Sequence, residues 1–149
     1  MNIRGSYSLH APRERVFAAI CDPQELMAVI PGCRDVHRLA NGDYEGSIVL
    51  RLPGAVGTYH TTVRLVDVVV PERSGLEGRV DGVMGAIRGT ASFGLGEERD
   101  GTRIDYQGSA EIQGPLSRLD SRFTEKLAET LISQGLKALD ARLRTEVPT

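Results

Sequence analysis

The sequence predicts an α+β domain in which a curved, seven-stranded antiparallel sheet wraps a long C-terminal helix. Three observations point there. From Arg34 to Gln113 the punctuation is that of short hairpins, with Asn41-Gly42 and Asp100-Gly101 as two-residue turn signals. After Gly114-Pro115 the apolar period changes from two to 3.6 and stays so almost to the end. Ahead of both, residues 2–30 read as one strand followed by two short helices.

In order, "NIRGSYSL" alternates, with Ile3, Tyr7 and Leu9 on one face, and reads as the first strand. "APRERVFAAICD" has Pro12 near its first turn and Val16, Phe17 and Ile20 at helical spacing. "DPQELMAVIPGC" starts a second helix at Asp22-Pro23 and stops it at Pro31-Gly32. Such a helix is too short to stand alone in water, yet it carries Leu26, Met27, Val29 and Ile30, so it must cover something. The hairpin region then supplies six strands, to which the first adds at an edge. Their inward faces are Tyr44, Gly46, Ile48, Leu50 and Leu52, then Tyr59, Thr61, Val63 and Leu65, then Leu76, Gly78, Val80 and Gly82. Ile87, Gly89, Ala91, Phe93 and Leu95 follow, and finally Ile104, Tyr106, Gly108, Ala110 and Ile112. The last helix is read from Leu116 to Leu143, with Ser117 and Asp120 spaced as a capping box. At about 28 residues it would be roughly 42 Å long, and only the concave face of the sheet can cover its stripe.

Residues 1–149 form a single domain, long enough for a real core. A net charge of -2, without a basic stripe, argues against nucleic acid as a partner. Cys21 and Cys33 form no metal-ligand pattern and suit a reducing, cytoplasmic compartment. The first residues, "MNIRGSYSLHAP", do not read as a signal peptide, and no apolar run is long enough to span a bilayer, so a soluble protein is expected.

The small residues are the unusual feature. Gly46, Gly78, Gly82, Gly89, Ala91, Gly108 and Ala110 stand where packed sheets carry Val, Ile or Leu. Two readings stand side by side: bends of a strongly curved sheet, or space for a ligand between sheet and helix, since an unfilled void costs stability. On the second reading the lining is Leu26, Met27 and Ile30 from the short helix, with Met84, Phe93, Phe123, Leu127 and Leu131. Tyr44, Tyr59, Thr61 and Tyr106 would add a few hydroxyls, and the short helix would be a lid. Such a pocket suits a hydrophobic small molecule. On the first, the same residues are plain core.

Catalytic signals are thin. His10, His37 and His60 have no metal-site spacing, and His60 should point away from Tyr59 and the cavity. "GLGEERDG" is a hairpin end with no helix behind it, hence no phosphate loop. Asp67 and Asp105 are the carboxylates a cyclase-like acid/base site would use, although exposed strand positions suit them better.

Strand, two short helices, six-strand meander and long helix is the order of the helix-grip fold of START-like (SRPBCC) proteins. Within that group the sequence resembles the CoxG family of carbon monoxide dehydrogenase subunits. The resemblance runs through "GSYSLHAPRERVFAAICDPQELMAVIPGC", "VGTYHTTVRLVD", "GLEGRVDGVMGAIRGTASFGL" and "DYQGSAEIQGPLSRLDSRF". It implies a cytoplasmic, non-enzymatic accessory protein, peripheral at the inner face of the membrane. That protein would serve a carbon monoxide dehydrogenase-type molybdenum hydroxylase and hold a menaquinone-like lipid in its cavity, with no other cofactor. With "TEVPT" directly after the helix, bilayer contact falls to the lid around Leu26–Pro31 or to the Pro53–Gly57 loop. The competing readings are a protein-docking adaptor with an empty cavity and a polyketide cyclase-like enzyme acting on an apolar substrate.

Overall fold

The computed structural model describes residues 1–52 and 55–145. Strand β1 (Asn2–Leu9) is followed by helices α1 (Arg13–Ile20) and α2 (Pro23–Val29), then by β2 (Cys33–Arg38), β3 (Tyr44–Leu52), β4 (Ala55–Val69), β5 (Arg73–Gly82), β6 (Gly85–Glu98) and β7 (Gly101–Gln113). Helix α3 (Ser121–Thr145) ends the described chain. One seven-stranded sheet has the order β1-β7-β6-β5-β4-β3-β2, with every pairing antiparallel. The predicted meander is therefore present, and β1 closes it beside β7, with Ile3 opposite Gly108.

Local chemistry accounts for the elements. Asp22 caps α2 by accepting a hydrogen bond from the Gln24 N–H at 2.9 Å, and Pro23 occupies the first turn. Gly42 takes φ +92° in the β2–β3 turn, a conformation open to glycine at no steric cost. At the C-terminal end the structure corrects the sequence reading. Gly114–Arg118 forms a 3-10 turn and Leu119 is extended, so α3 starts at Ser121 and has 25 residues. A spacing of three, as between Leu116 and Leu119, suits a 3-10 turn as well as an α-helix. Asp120 caps α3 by accepting from the Arg122 N–H at 2.8 Å, while the Ser117 hydroxyl donates to the Gly114 carbonyl, so the two do not form a capping box.

The core is split. One cluster gathers Leu9, Val16, Phe17, Val29, Phe93, Leu95, Ile104, Leu139 and Leu143, with Leu76, Tyr106 and Leu136 against it. A second, smaller one centres on Tyr59 and Leu116, with Ile48, Leu50, Val80, Met84, Ile87, Ile112, Leu119 and Leu127 around it. Helix α3 spans both: Leu136, Leu139 and Leu143 join the first, and Leu127 the second. Its backbone runs closest to β1 and to the short helices rather than to the middle strands. Two side-chain ties hold this arrangement. Buried Asp140 accepts from the His10 backbone N–H at 2.8 Å, and Arg142 makes a bidentate pair with Glu25 of α2 at 2.7 and 3.2 Å.

Candidate functional site

Between the two clusters the concave face of the sheet carries a cleft of about 200 Å³, walled almost wholly by carbon. Leu76 from the first cluster and Val80 and Ile87 from the second line it, together with Ile3, Val63, Gly78, Gly89, Ala91, Gly108 and Ala110. Its one inward-facing side-chain hydroxyl is that of Thr61. The Thr61 Oγ1 is buried and has no hydrogen-bond partner.

The glycines divide between the two readings of the sequence. A Cβ on Gly89 would come within 2.5 Å of the Ser109 carbonyl oxygen, and one on Gly108 within 2.9 Å of the Ala91 Cβ. Gly46 lies against the Asp35 carbonyl and Gly82 under the Tyr59 ring, both closer still. At these four positions the missing side chain serves close strand packing and sheet curvature. Gly78 differs, because a Cβ there meets nothing nearer than 3.7 Å and leaves space beside it. The open volume thus comes from Gly78, Ala91, Ala110 and the stand-off of α3.

Of the residues expected to line a pocket, Thr61 alone lines this cleft. Tyr59, Met84 and Leu127 pack in the second cluster beside it. Phe93 and Tyr106 belong to the first, and the Tyr106 ring lies over Gly5. Burial, with the Glu129 charge as a second cause, pushes the Tyr106 phenol upward. Tyr44, opposite Val63 of β4, donates to the Cys21 carbonyl at 2.6 Å with the Arg38 guanidinium 5.2 Å from its ring centre. It borders a separate hollow with Cys21, Arg38, Leu65 and Val68, and burial raises both the Cys21 thiol and the Tyr44 phenol. Leu26 and Leu131 are half-buried, whereas Met27, Ile30 and Phe123 are exposed at 44%, 37% and 42%. Sequence reasoning missed Met1 and Ile3, which reach the cleft because β1 docks beside β7.

Helix α2 is fastened at its start and bare at its end. Glu25 is held by Arg142, and Gly135 of α3 faces the Val29 carbonyl and Pro31, at 3.6 and 4.0 Å from where a Cβ would stand. Met27 and Ile30 face outward beyond that seat. Of the Pro53–Gly57 loop, Pro53 and Gly54 lie outside the described residues, and Val56 on β4 is 65% exposed.

The titratable groups sit elsewhere. On the outer face, Glu45 lies between His37 Nε2 at 3.1 Å and His60 Nε2 at 3.4 Å, so His60 does point away from the cleft. Asp105 is exposed and paired with Arg103, and Asp67 is exposed at the β4 bulge with φ +52°. Among the described residues no three His, Cys, Asp or Glu side chains converge as metal ligands. Two broader grooves, of about 450 and 490 Å³, cross the outer face of β1, β7 and β6 and are polar, with Arg4, Ser92 and Gln107 in both. No helix among the described residues is long and apolar enough to cross a membrane.

A curved sheet gripping one long helix, with an apolar cleft in the sheet's concave face, defines a START-like protein. Solved structures bear out the fold. A conserved protein from Geobacillus kaustophilus superposes with a TM-score of 0.91 at 23% identity, over 97% of this chain and 96% of that one. A START superfamily protein from Mycobacterium smegmatis gives 0.72 at 14% identity, over 98% and 99%. A protein from Chromobacterium violaceum gives 0.72 at 21%, over 95% and 96%. A search of curated proteins returned no match. The family model for CoxG, a carbon monoxide dehydrogenase subunit, matches residues 5–144, and the chain belongs to that family.

Proposed function

We propose that this protein is a non-enzymatic accessory factor that holds a hydrophobic small molecule, a menaquinone-like quinone or related isoprenoid lipid, for a carbon monoxide dehydrogenase-type molybdenum hydroxylase. The cleft carries the reading: about 200 Å³ of carbon-lined space between two otherwise packed clusters, on the concave face of the sheet. Such a space costs stability unless something apolar fills it. Family membership supports the association with a dehydrogenase, because the CoxG family takes its description from that enzyme.

The cleft is smaller than the roughly 300–1,000 Å³ usual for ligand pockets. It therefore seats one ring-sized end of the ligand, and the remainder leaves along Leu127 and Leu131 of α3, toward α2. Met27 and Ile30 at the bare end of α2 then cover the emerging tail or meet a bilayer surface. In this role the bound quinone takes two electrons and two protons on reduction and leaves as quinol for the respiratory chain. The protein's part is to shield and orient it.

Native mass spectrometry of the purified protein, with organic extraction of what co-purifies, tests the proposal. Roughly one isoprenoid per chain supports it. A protein that stays empty after incubation with a menaquinone analogue, yet still captures the dehydrogenase, is a docking adaptor instead.

A further inference from the structure

The orphaned hydroxyl in the cleft wall narrows the ligand's chemistry, and this inference rests on the cleft being the binding site. Thr61 lies in mid-strand β4, directly opposite Gly46 on β3 and Val80 on β5. The first neighbour has no side chain and the second no polar side-chain atom, so neither flanking strand offers the hydroxyl a side-chain partner. Its Oγ1 is buried without a hydrogen bond. Valine has nearly the same shape and would avoid leaving a buried hydroxyl unsatisfied. With no partner in either role, the hydroxyl has its one O–H free to donate into the cleft.

We infer that Thr61 is the specificity-determining residue of the cleft, donating a hydrogen bond to a single carbonyl oxygen on an otherwise apolar ring. The ligand class is therefore a cyclic ketone or quinone rather than a pure hydrocarbon. Apart from the Met1 ammonium, which already donates to the Ala110 carbonyl at 3.0 Å, the inward walls are carbon and backbone committed to the sheet ladder. The Arg79 guanidinium is engaged with Asp81 at 2.7 Å.

A matched pair of probes separates the hydroxyl's role from that of the cleft. 1-Tetralone and tetralin share one carbon frame and differ by a carbonyl in place of a methylene, and neither adds to thiols. Equilibrium dialysis of both is run against wild type, Thr61→Val and Thr61→Ser. Thr61→Val should weaken 1-tetralone about tenfold, the equivalent of one neutral hydrogen bond, and leave tetralin unchanged or tighter. Thr61→Ser should keep most of the tetralone affinity. In wild type, the carbonyl stretch of bound 1-tetralone should fall below its value in hexane, a reading that does not depend on any variant folding. An unshifted stretch, or equal affinity of wild type and folded Thr61→Val for tetralone, overturns the inference while the cleft survives. If wild type binds neither probe, the cleft itself is not a site and the functional proposal fails with it.

Discussion

Filling the cleft from Gly78 is the perturbation that best separates a binding site from a gap in packing. In Gly78→Leu the new Cβ stands 3.7 Å from the Thr62 carbonyl oxygen and 3.8 Å from Val63 Cγ2, ordinary contact distances. The side chain then runs between Leu76 and Val80 into the open space. Full burial of a leucine contributes about 1.5–3 kcal/mol, and one side of this cleft is open, so half of that is the fair figure. Removing a strand glycine adds about 0.5–1 kcal/mol. The variant should therefore be more stable by roughly 1–2.5 kcal/mol, raising Tm by about 2–10 °C for a chain of this size. Ligand uptake should fall at least tenfold. Gly89→Leu is the contrast, because its Cβ would lie 2.5 Å from the Ser109 carbonyl oxygen. Overpacking of that kind costs about 1–3 kcal/mol, so this variant should melt lower. Calorimetry and dialysis with 1-tetralone read both quantities. If Gly78→Leu melts lower, as Gly89→Leu should, the space at Gly78 is not there; if it binds as wild type does, the ligand sits elsewhere.

Two further predictions concern the ties of α3. Glu25→Gln should loosen α2 and lower Tm by about 1–4 °C at neutral pH, since a half-exposed pair contributes about 0.2–1 kcal/mol. The hydrogen bonds from Arg142 hold the Glu25 carboxyl below its ordinary 4.5, so this stability is full above that value and is lost as pH falls through the lower, folded one. The difference between wild type and Glu25→Gln should vanish in strong acid, and a difference independent of pH would show that the pair is not its source. Asp140→Ala leaves the part-buried His10 N–H without its acceptor and should cost about 0.5–1.5 kcal/mol. Hydrogen exchange should locate the loosening at the β1–α1 turn and the C-terminal half of α3, and unchanged protection there would contradict the role given to Asp140.

The strands and their turns were readable because turn chemistry is local: Asn41-Gly42 and Asp100-Gly101 mark hairpins without reference to the rest of the chain. The start of α3 was not, since Leu116 and Leu119 satisfy a 3-10 turn and an α-helix equally. Glycine in a strand announces that something is near, yet the sequence does not say what. Gly82 faces the Tyr59 ring and Gly89 a backbone oxygen, whereas Gly78 faces open space, and only the register distinguishes them. The candidate site suffered in the same way. Inward alternation found Thr61 and marked Val63, Leu76, Val80 and Ile87 as inward-facing. It could not place Ile3, whose position depends on β1 docking some hundred residues away beside β7. The Glu25–Arg142 tie, across a separation of 117 residues, has no sequence signature at all.

Whether the cleft holds a hydrophobic molecule decides the function proposed for this protein. Wild type and Gly78→Leu, purified in parallel and compared by native mass spectrometry with organic extraction, give the most direct answer. Wild type should carry an isoprenoid or take one up from a menaquinone analogue, and Gly78→Leu should do neither. Two empty proteins, or two equally loaded ones, would contradict the cleft as the binding site.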